Sequence, residues 1–375
     1  MEEKVPEWVR DAITKIEAKM PEVVARTKNK FPYTTVDGRF DDWTTKNPCW
    51  WTNGFWGGIM WQLYHATGDE KYREAALINE EKLDQNFMEP MGMDHDSGFK
   101  WLPTSVAHYQ IDRNKESWKR GLLAANDMAG RFNPVGEYIR AWNDDGDGSN
   151  AGVAIIDCLM NLPLLYWASA VSSDPRFYHI ARKHADTVIK YFQRQDGSVI
   201  HIGKFNPLTG EFLESVGGQG LGRGTSWTRG QSWAVYGFTL SYLHTRSETY
   251  VKAAERVADY VLTQIPDTYI IPVDFSQTKD CEWEDSTAAA IFACGLIELS
   301  RVCDEQKKET YYNTALKLLE VLCRMRVNYD LSADHLLENC TAAYHDPNHN
   351  FAIIYGDYFL IEALLKITGE ELFIW

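Results

Sequence analysis

Two carboxylate positions in this sequence have the surroundings needed for proton chemistry. Asp157 is the one carboxylate in the eighteen-residue run Asn150–Trp167, NAGVAIIDCLMNLPLLYW. Val153, Ile155, Ile156, Leu159, Met160, Leu162, Leu164 and Leu165 surround it, so the pattern predicts a helix buried all round. An ionised carboxylate withdrawn from water is costly unless it is paired or protonated. Burial raises its pKa, which suits a proton donor working near neutral pH. Taken alone, the run fits a buried Asp capping a neighbouring helix as well as it fits a proton donor. The second position is Asp96, in Met93–Phe99, MDHDSGF. Asp94 and Asp96 sit in a Gly-containing turn, where Asp commonly serves local backbone bonding instead of catalysis. His95 between them fits plain exposure equally well.

Two further stretches concentrate aromatic and polar side chains. One is Trp50–Trp56, WWTNGFW, with Trp51 at its head; the other is Gln219–Trp233, QGLGRGTSWTRGQSW, carrying Gln219, Trp227, Arg229 and Trp233. Trp142 and His201 stand singly. Two carboxylates with Trp platforms and an Arg are what a glycosidase needs for an acidic sugar: one carboxyl handles protons, the other stabilises, and a guanidinium takes a carboxylate in a fork. Each residue also has a plainer role open to it. Trp227 and Trp233 fit the core, and Arg229 fits a structural pair with Asp285 or Glu284. The pattern predicts no strand ahead of Gly217, Gly218, Gly220, Gly222 and Gly224 and no strand-turn-helix phosphate loop, which argues against a nucleotide site.

The elements that must position these residues read as helices. Glu7–Thr27 carries an apolar stripe of Trp8, Ala12, Ile13, Ile16, Met20 and Val23, and Trp50–Thr67 resumes a helix rich in Trp. An aromatic near a helix start, with a small or apolar residue four positions on, recurs at Tyr72, Trp118, Phe177, Tyr250 and Tyr311. The steps run from 46 residues (72 to 118) to 73 residues (177 to 250), enough for two helices and a loop. The connections at 91–98, 143–150, 196–224 and 274–285 are rich in Gly and Asp, and the longest predicts a short hairpin of Val199–Ile202 with Glu211–Leu213. An open solenoid needs a regular short repeat and polar terminal caps. The drifting period instead predicts an all-α fold, a closed (α/α)6 barrel of six hairpins, as one domain over residues 1–375.

Composition narrows the partners. The formal charge of -15 argues against nucleic acid, whose phosphates call for clustered Lys and Arg. Aromatics make up 13%, with 14 Trp and 19 Tyr, as in proteins that stack sugar rings or build large helical cores. The seven Cys form no CxxC pair, which predicts a reducing compartment and no metal site. The N-terminus has no apolar signal region, and no run reaches the roughly 18 apolar residues of a membrane span. A cytoplasmic protein without membrane contact, a monomer or weak homodimer, is the expectation.

In these same segments the sequence resembles glycoside hydrolase family 88, the unsaturated glucuronyl hydrolases. The matching stretches are WWTNGFWGGIMW (50–61), GDEKYREAA (68–76), MDHDSGF (93–99), IIDCLMNLPLLYWA (155–168), SWTRGQSWAVYGF (226–238), DSTAAAIFACGL (285–296) and YGDYFLIEALL (355–365). The resemblance implies an (α/α)6 barrel that releases a 4,5-unsaturated uronic acid from the non-reducing end of lyase-generated oligosaccharides, without a cofactor. It implies Asp157 as general acid/base, Asp96 as the second essential carboxylate, and Trp51, His95, Trp142, His201, Gln219, Trp227, Arg229, Trp233 and Tyr355 around the sugar. In the implied reaction the acid protonates C4 of the vinyl ether, water adds at C5, and the hemiketal opens. Desolvation of Asp157 and a wetter, ionised Asp96 is the expected division of labour. Many family members have His-Gln-Gly where this chain has Gly218-Gln219-Gly220; Arg223 and Lys204 stand nearby as candidate contacts for a sulfate or second uronate. The related family 105, acting on pectin-derived unsaturated rhamnogalacturonyl disaccharides, is the near alternative. A toroid that binds oligosaccharides without cleaving them is the remote one.

Overall fold

The computed structural model describes residues 5–89, 91–144 and 146–375. Met1–Lys4 of the N-terminal stretch and Asp145 of the 143–150 loop lie outside the described residues. Helix α1 (Glu7–Thr27) covers the predicted span and buries Val9, Ala12, Ile16, Met20 and Val23. The chain then builds hairpins in order. α2 (Phe55–Thr67) pairs with α3 (Glu70–Leu83). α4 (Ser97–Trp101) runs through one π turn (Leu102–Val106) into α5 (Ala107–Asp112) and pairs with α6 (Lys115–Gly130). α7 (Leu162–Ser172) pairs with α8 (Pro175–Tyr191), α9 (Thr228–Thr245) with α10 (Glu248–Gln264), and α11 (Ser286–Ser300) with α12 (Glu305–Met325). The last helix, α13 (Ile354–Thr368), packs on α2, α11 and α1, so the first helix of the chain completes the sixth hairpin and closes the ring. This is an (α/α)6 barrel.

The inner ring is buried on all sides because its sequences allow it. Every residue of α11 is buried, as is α13 from Ile354 to Lys366. Such helices carry no polar stripe, whereas the outer helices turn a charged face to water. Four of the inner-to-outer turns share one construction. A residue in the left-handed region (Gly68, Arg113, Ser173 or Arg246) is followed by a helix-capping residue (Asp69, Asn114, Asp174 or Ser247). Asp69, Asn114 and Asp174 accept hydrogen bonds from the first amides of the next helix. The aromatic of the sequence repeat follows, and Tyr72, Phe177, Tyr250 and Tyr311 are all buried against the inner ring.

The outer-to-inner connections are the long ones, and they gather at the opposite end, beside the N-termini of the inner helices. They hold the few strands. β1 (Thr35–Val36) pairs with β2 (Arg39–Phe40), and β3 (Phe132–Asn133) with β4 (Tyr138–Ile139). β5 (Val153–Ile155), β6 (Ile202–Phe205) and β7 (Phe212–Val216) form a three-stranded antiparallel sheet. The expected hairpin is present, shifted toward the C-terminus so that Phe205 faces Phe212.

The Asn150–Trp167 run departs from the expected single helix. Val153–Ile155 is extended and pairs with β6, Ile156–Met160 is a 3-10 turn, and α7 begins only at Leu162. A short, fully buried strand and a buried helix present the same unbroken apolar run, so periodicity does not separate them. The β-branched Val153, Ile155 and Ile156 favour the strand. Pro163, which lacks an N–H, falls in the first turn of α7, where no helical partner is needed. Asp157 therefore stands at the bend between strand and helix, not inside a long helix.

Candidate active site

Helix starts bring the candidate residues together. Asp96 is the residue preceding α4, and Asp157 lies in the first turn of the 3-10 segment leading into α7. Trp51 opens the 3-10 turn (Trp51–Gly54) ahead of α2. Together with His95, Trp142, His201 and Gln219 they line one cavity of about 420 Å³. Asp94, Asn47, Trp50, Met91 and Phe99 complete most of the wall, and no Lys or Arg is among the described residues that line it.

Asp96 is the more deeply buried of the two carboxyls. Asn161 Nδ2 donates to its Oδ1 at 3.1 Å, and His95 Nε2 stands 3.5 Å from its Oδ2. Its own amide donates to Asp94 Oδ1 at 2.9 Å, the local turn bond expected of this segment. Burial pushes the Asp96 carboxyl well above the usual carboxylate range. The negative charges of Asp94 and Asp157 add to that, while Lys100 and the Asn161 bond oppose it. Asp157 keeps 16% of its side chain exposed to the cavity. The desolvated carboxyl of the pair is thus Asp96, the reverse of the sequence expectation. The cause is the bend at Asp157, which turns its side chain from the apolar run into the opening.

Two imidazoles flank the carboxyls. His201 Nδ1 accepts from the Gln219 amide at 3.0 Å, so the ring N–H is at Nε2, 3.5 Å from Asp157 Oδ1. That distance is too long for a hydrogen bond, and Asp157 Oδ1 has no other partner among the described residues. Gly218, at φ +61, makes the Gln219–His201 bond possible: a Cβ there would lie 2.1 Å from His201 Nδ1. The departure at Gly218 therefore belongs to the seat of His201. His95 is buried, and its pKa is pushed down to about 4 by that burial, so it is neutral near pH 7 with Nδ1 unpartnered among the described residues.

Four candidates stand behind the cavity wall. Arg229 is fully buried; it pairs with Asp285, which precedes α11, and donates to the carbonyls of Thr341 and Ala342. Its fork is already occupied, so it is not a free cation for a sugar carboxylate. Trp227 is sandwiched between His201, 4.2 Å away, and Arg229, 4.5 Å away. Trp233 is a core residue packed on Phe99 and Phe359. Tyr355 is buried beneath Trp51 at 4.9 Å and backs that indole. Arg223 pairs with Glu214 at the surface, 3.1 Å apart, and neither it nor Lys204 reaches the cavity.

Asn161 was not singled out from the sequence, yet it ties the site together. Its Oδ1 accepts from the Phe99 amide at 2.7 Å while Nδ2 reaches Asp96 and the Asp157 carbonyl. Gly98 lets the two segments meet this closely, since a Cβ there would lie 2.5 Å from Asn161 Cα. A lone amide in an otherwise apolar run, four residues after Asp157, was the available signal. A desolvated carboxyl, a second open to the cavity, neutral imidazole beside the first and indole platforms can together move a proton onto a sugar and direct a water.

Comparison with known proteins agrees with this chemistry. The sequence model of Glycosyl Hydrolase Family 88 matches residues 22–330. The chain is 33% identical over 326 residues to the unsaturated glucuronyl hydrolase of Bacillus sp. (strain GL1), covering 84% of this chain and 86% of that one. It is 30% identical over 332 residues to the unsaturated chondroitin disaccharide hydrolase of Streptococcus pneumoniae (strain ATCC BAA-255 / R6), covering 87% and 83%. The crystal structure of the Bacillus sp. GL1 enzyme superposes with a TM-score of 0.90 at 28% identity, over 96% of this chain and 98% of that one. The chain belongs to glycosyl hydrolase family 88 and is a glycoside hydrolase.

Proposed function

We propose that this protein releases the 4,5-unsaturated uronic acid from the non-reducing end of lyase-generated oligosaccharides, with Asp157 and Asp96 as its working carboxyls. The observation that carries the reading is the convergence of these two carboxyls on one indole-lined cavity in unlike surroundings, one desolvated and one open. A vinyl ether needs a proton at C4 before water can add at C5. Asp157, facing the cavity, delivers that proton and then takes one from the attacking water. Asp96, pushed by burial toward its protonated form, stands behind it, and Asn161 and His95 hold it in place. Entry of the substrate carboxylate adds negative charge and pushes Asp96 further the same way. Opening of the hemiketal then frees the aglycone with no covalent sugar–enzyme bond.

The names of the relatives, glucuronyl in one case and chondroitin disaccharide in another, support this substrate class. The test is turnover of unsaturated disaccharides from glycosaminoglycan and from pectin, assayed side by side by loss of the double-bond absorbance. Asp157→Asn is expected to lose roughly 10²- to 10⁴-fold in kcat, the usual worth of a positioned proton-transfer group. Near-normal turnover by Asp157→Asn would remove the assignment. Binding without turnover by the unaltered protein would favour a sugar-binding toroid, and cleavage of the pectin product alone would favour the family 105 type of activity.

A further inference from the structure

Lys100 lies one turn beyond Asp96 on α4, on the same face of the helix as the carboxyl at i-4. It is fully buried. Its ammonium donates to the Cys49 carbonyl at 3.1 Å and to Asn86 Oδ1 at 3.4 Å, and no carboxylate lies within 4.0 Å of it among the described residues. Two neutral oxygens and the face of Trp101, 5.2 Å away, hold the ammonium without an ionic partner, and such a buried cation is expensive to keep. Its charge reaches Cys49 in the loop before α2, Asp96 ahead of α4 and Asp127 on α6, and around those groups in turn stand Glu89, Asp94, Asp157 and the cation Arg131.

We propose that Lys100 is a positioning residue of the reaction, an ammonium sealed behind the cavity wall whose charge offsets the negative charge gathered at the Asp94, Asp96 and Asp157 carboxyls. The inference rests on the two-carboxyl reading of the site. The geometry separates it from substrate binding, because Lys100 is not among the residues that line the cavity. Without the ammonium, Asp94, Asp96 and Asp157 would share a cavity whose described lining holds no Lys or Arg. Asp96, whose proton affinity the ammonium lowers, would then stay protonated to higher pH.

The experiment is the pH profile of kcat/KM on an unsaturated disaccharide for the unaltered protein, Lys100→Met and Asn86→Ala, with thermal unfolding of each. Absence of turnover by the unaltered protein at every pH would defeat the parent reading and not this one. Given turnover, Lys100→Met is expected to move the whole profile up by about one pH unit, as loss of a nearby opposite charge does. Asn86→Ala removes a hydrogen-bond partner but no charge, and is expected to leave the profile in place. A profile unmoved in Lys100→Met, with only a lower melting temperature, would overturn the proposal and make Lys100 a cross-link between loops. If Lys100→Met does not fold, the same substitution is made in Asp96→Asn protein. Folding there supports the charge coupling, and failure in both backgrounds overturns it.

Discussion

Asn161→Ala tests whether the site is held by the geometry described. The side chain is fully buried and makes three bonds that a methyl cannot replace, two of them short enough to weigh. Loss of Oδ1 leaves the Phe99 amide, bonded at 2.7 Å, without a partner, at a cost of about 1–3 kcal/mol. Loss of Nδ2 removes a donor to a carboxyl at 3.1 Å, a bond worth about 1.5–3 kcal/mol when that carboxyl is ionised. The first loss falls on folding and should lower the unfolding free energy by about 2 kcal/mol. The second falls on Asp96, because the bond favours its charged form. Removing it raises the Asp96 pKa further and frees the carboxyl to turn. At about 1.4 kcal/mol per tenfold, kcat/KM should fall roughly 10- to 100-fold. Asn161→Asp separates the two effects. It keeps an acceptor for Phe99 but sets another carboxyl beside Asp96, so activity should fall while most of the stability remains. Steady-state kinetics and urea unfolding of both variants decide. A protein with Asn161→Ala that is less stable yet within about twofold of normal kcat/KM would refute the reasoning.

Two further outcomes follow from buried charges outside the cavity wall. Arg229→Met strands Asp285 and the carbonyls of Thr341 and Ala342, and should cost about 3–5 kcal/mol of stability, read from the urea midpoint. Asp357, fully buried where α13 begins, has its pKa raised by burial from 3.8 to about 6, against the Leu336 and Leu337 amides that it accepts. The folded protein therefore binds this proton more tightly than the unfolded chain, and stability falls as pH rises from about 4 through about 6, by up to about 3 kcal/mol. Asp96 acts in the same direction, so Asp357→Asn should flatten the dependence without abolishing it, as urea unfolding between pH 4.5 and 7 would register.

Much of the fold was legible because its signals are local. The Glu7–Thr27 helix, the aromatic at each outer-helix start and the uneven hairpin period all reflect periodicity and capping, which act within a few residues. The long connections were legible as the place of function because they carry Trp, His and Gln where plain turns need only Gly and Asp. What escaped the sequence was settled across the barrel. Whether Ile155 is strand or helix depends on β6, nearly fifty residues on. Whether Arg229 is free depends on Asp285 and the 341–342 carbonyls. Which carboxyl is desolvated depends on a bend of a single turn at Asp157. Residue types named the pair Asp96 and Asp157, but only packing could assign their environments.

The cavity wall poses an electrostatic question that its residue list does not answer alone. The proposed substrate is an anion, yet three carboxyls and no Lys or Arg line the space among the described residues. The barrel supplies what the side chains do not. The six inner helical segments run the same way, with α2, α4, the 3-10 entry to α7, α9, α11 and α13 all starting at the cavity end. Each start carries the positive end of its dipole, a field equivalent to about half a unit charge per helix. Buried Lys100 and Arg229 lie behind that ring and add to it without offering a contact. An anion entering along the axis is thus met by a field spread over the whole mouth, not by one fork. Such a field attracts a carboxylate at the reacting sugar but makes no dedicated seat for a second charge beyond it. That is the physical reason to place selectivity among aglycones in the indoles of Trp51 and Trp142 and in the Gln219 amide.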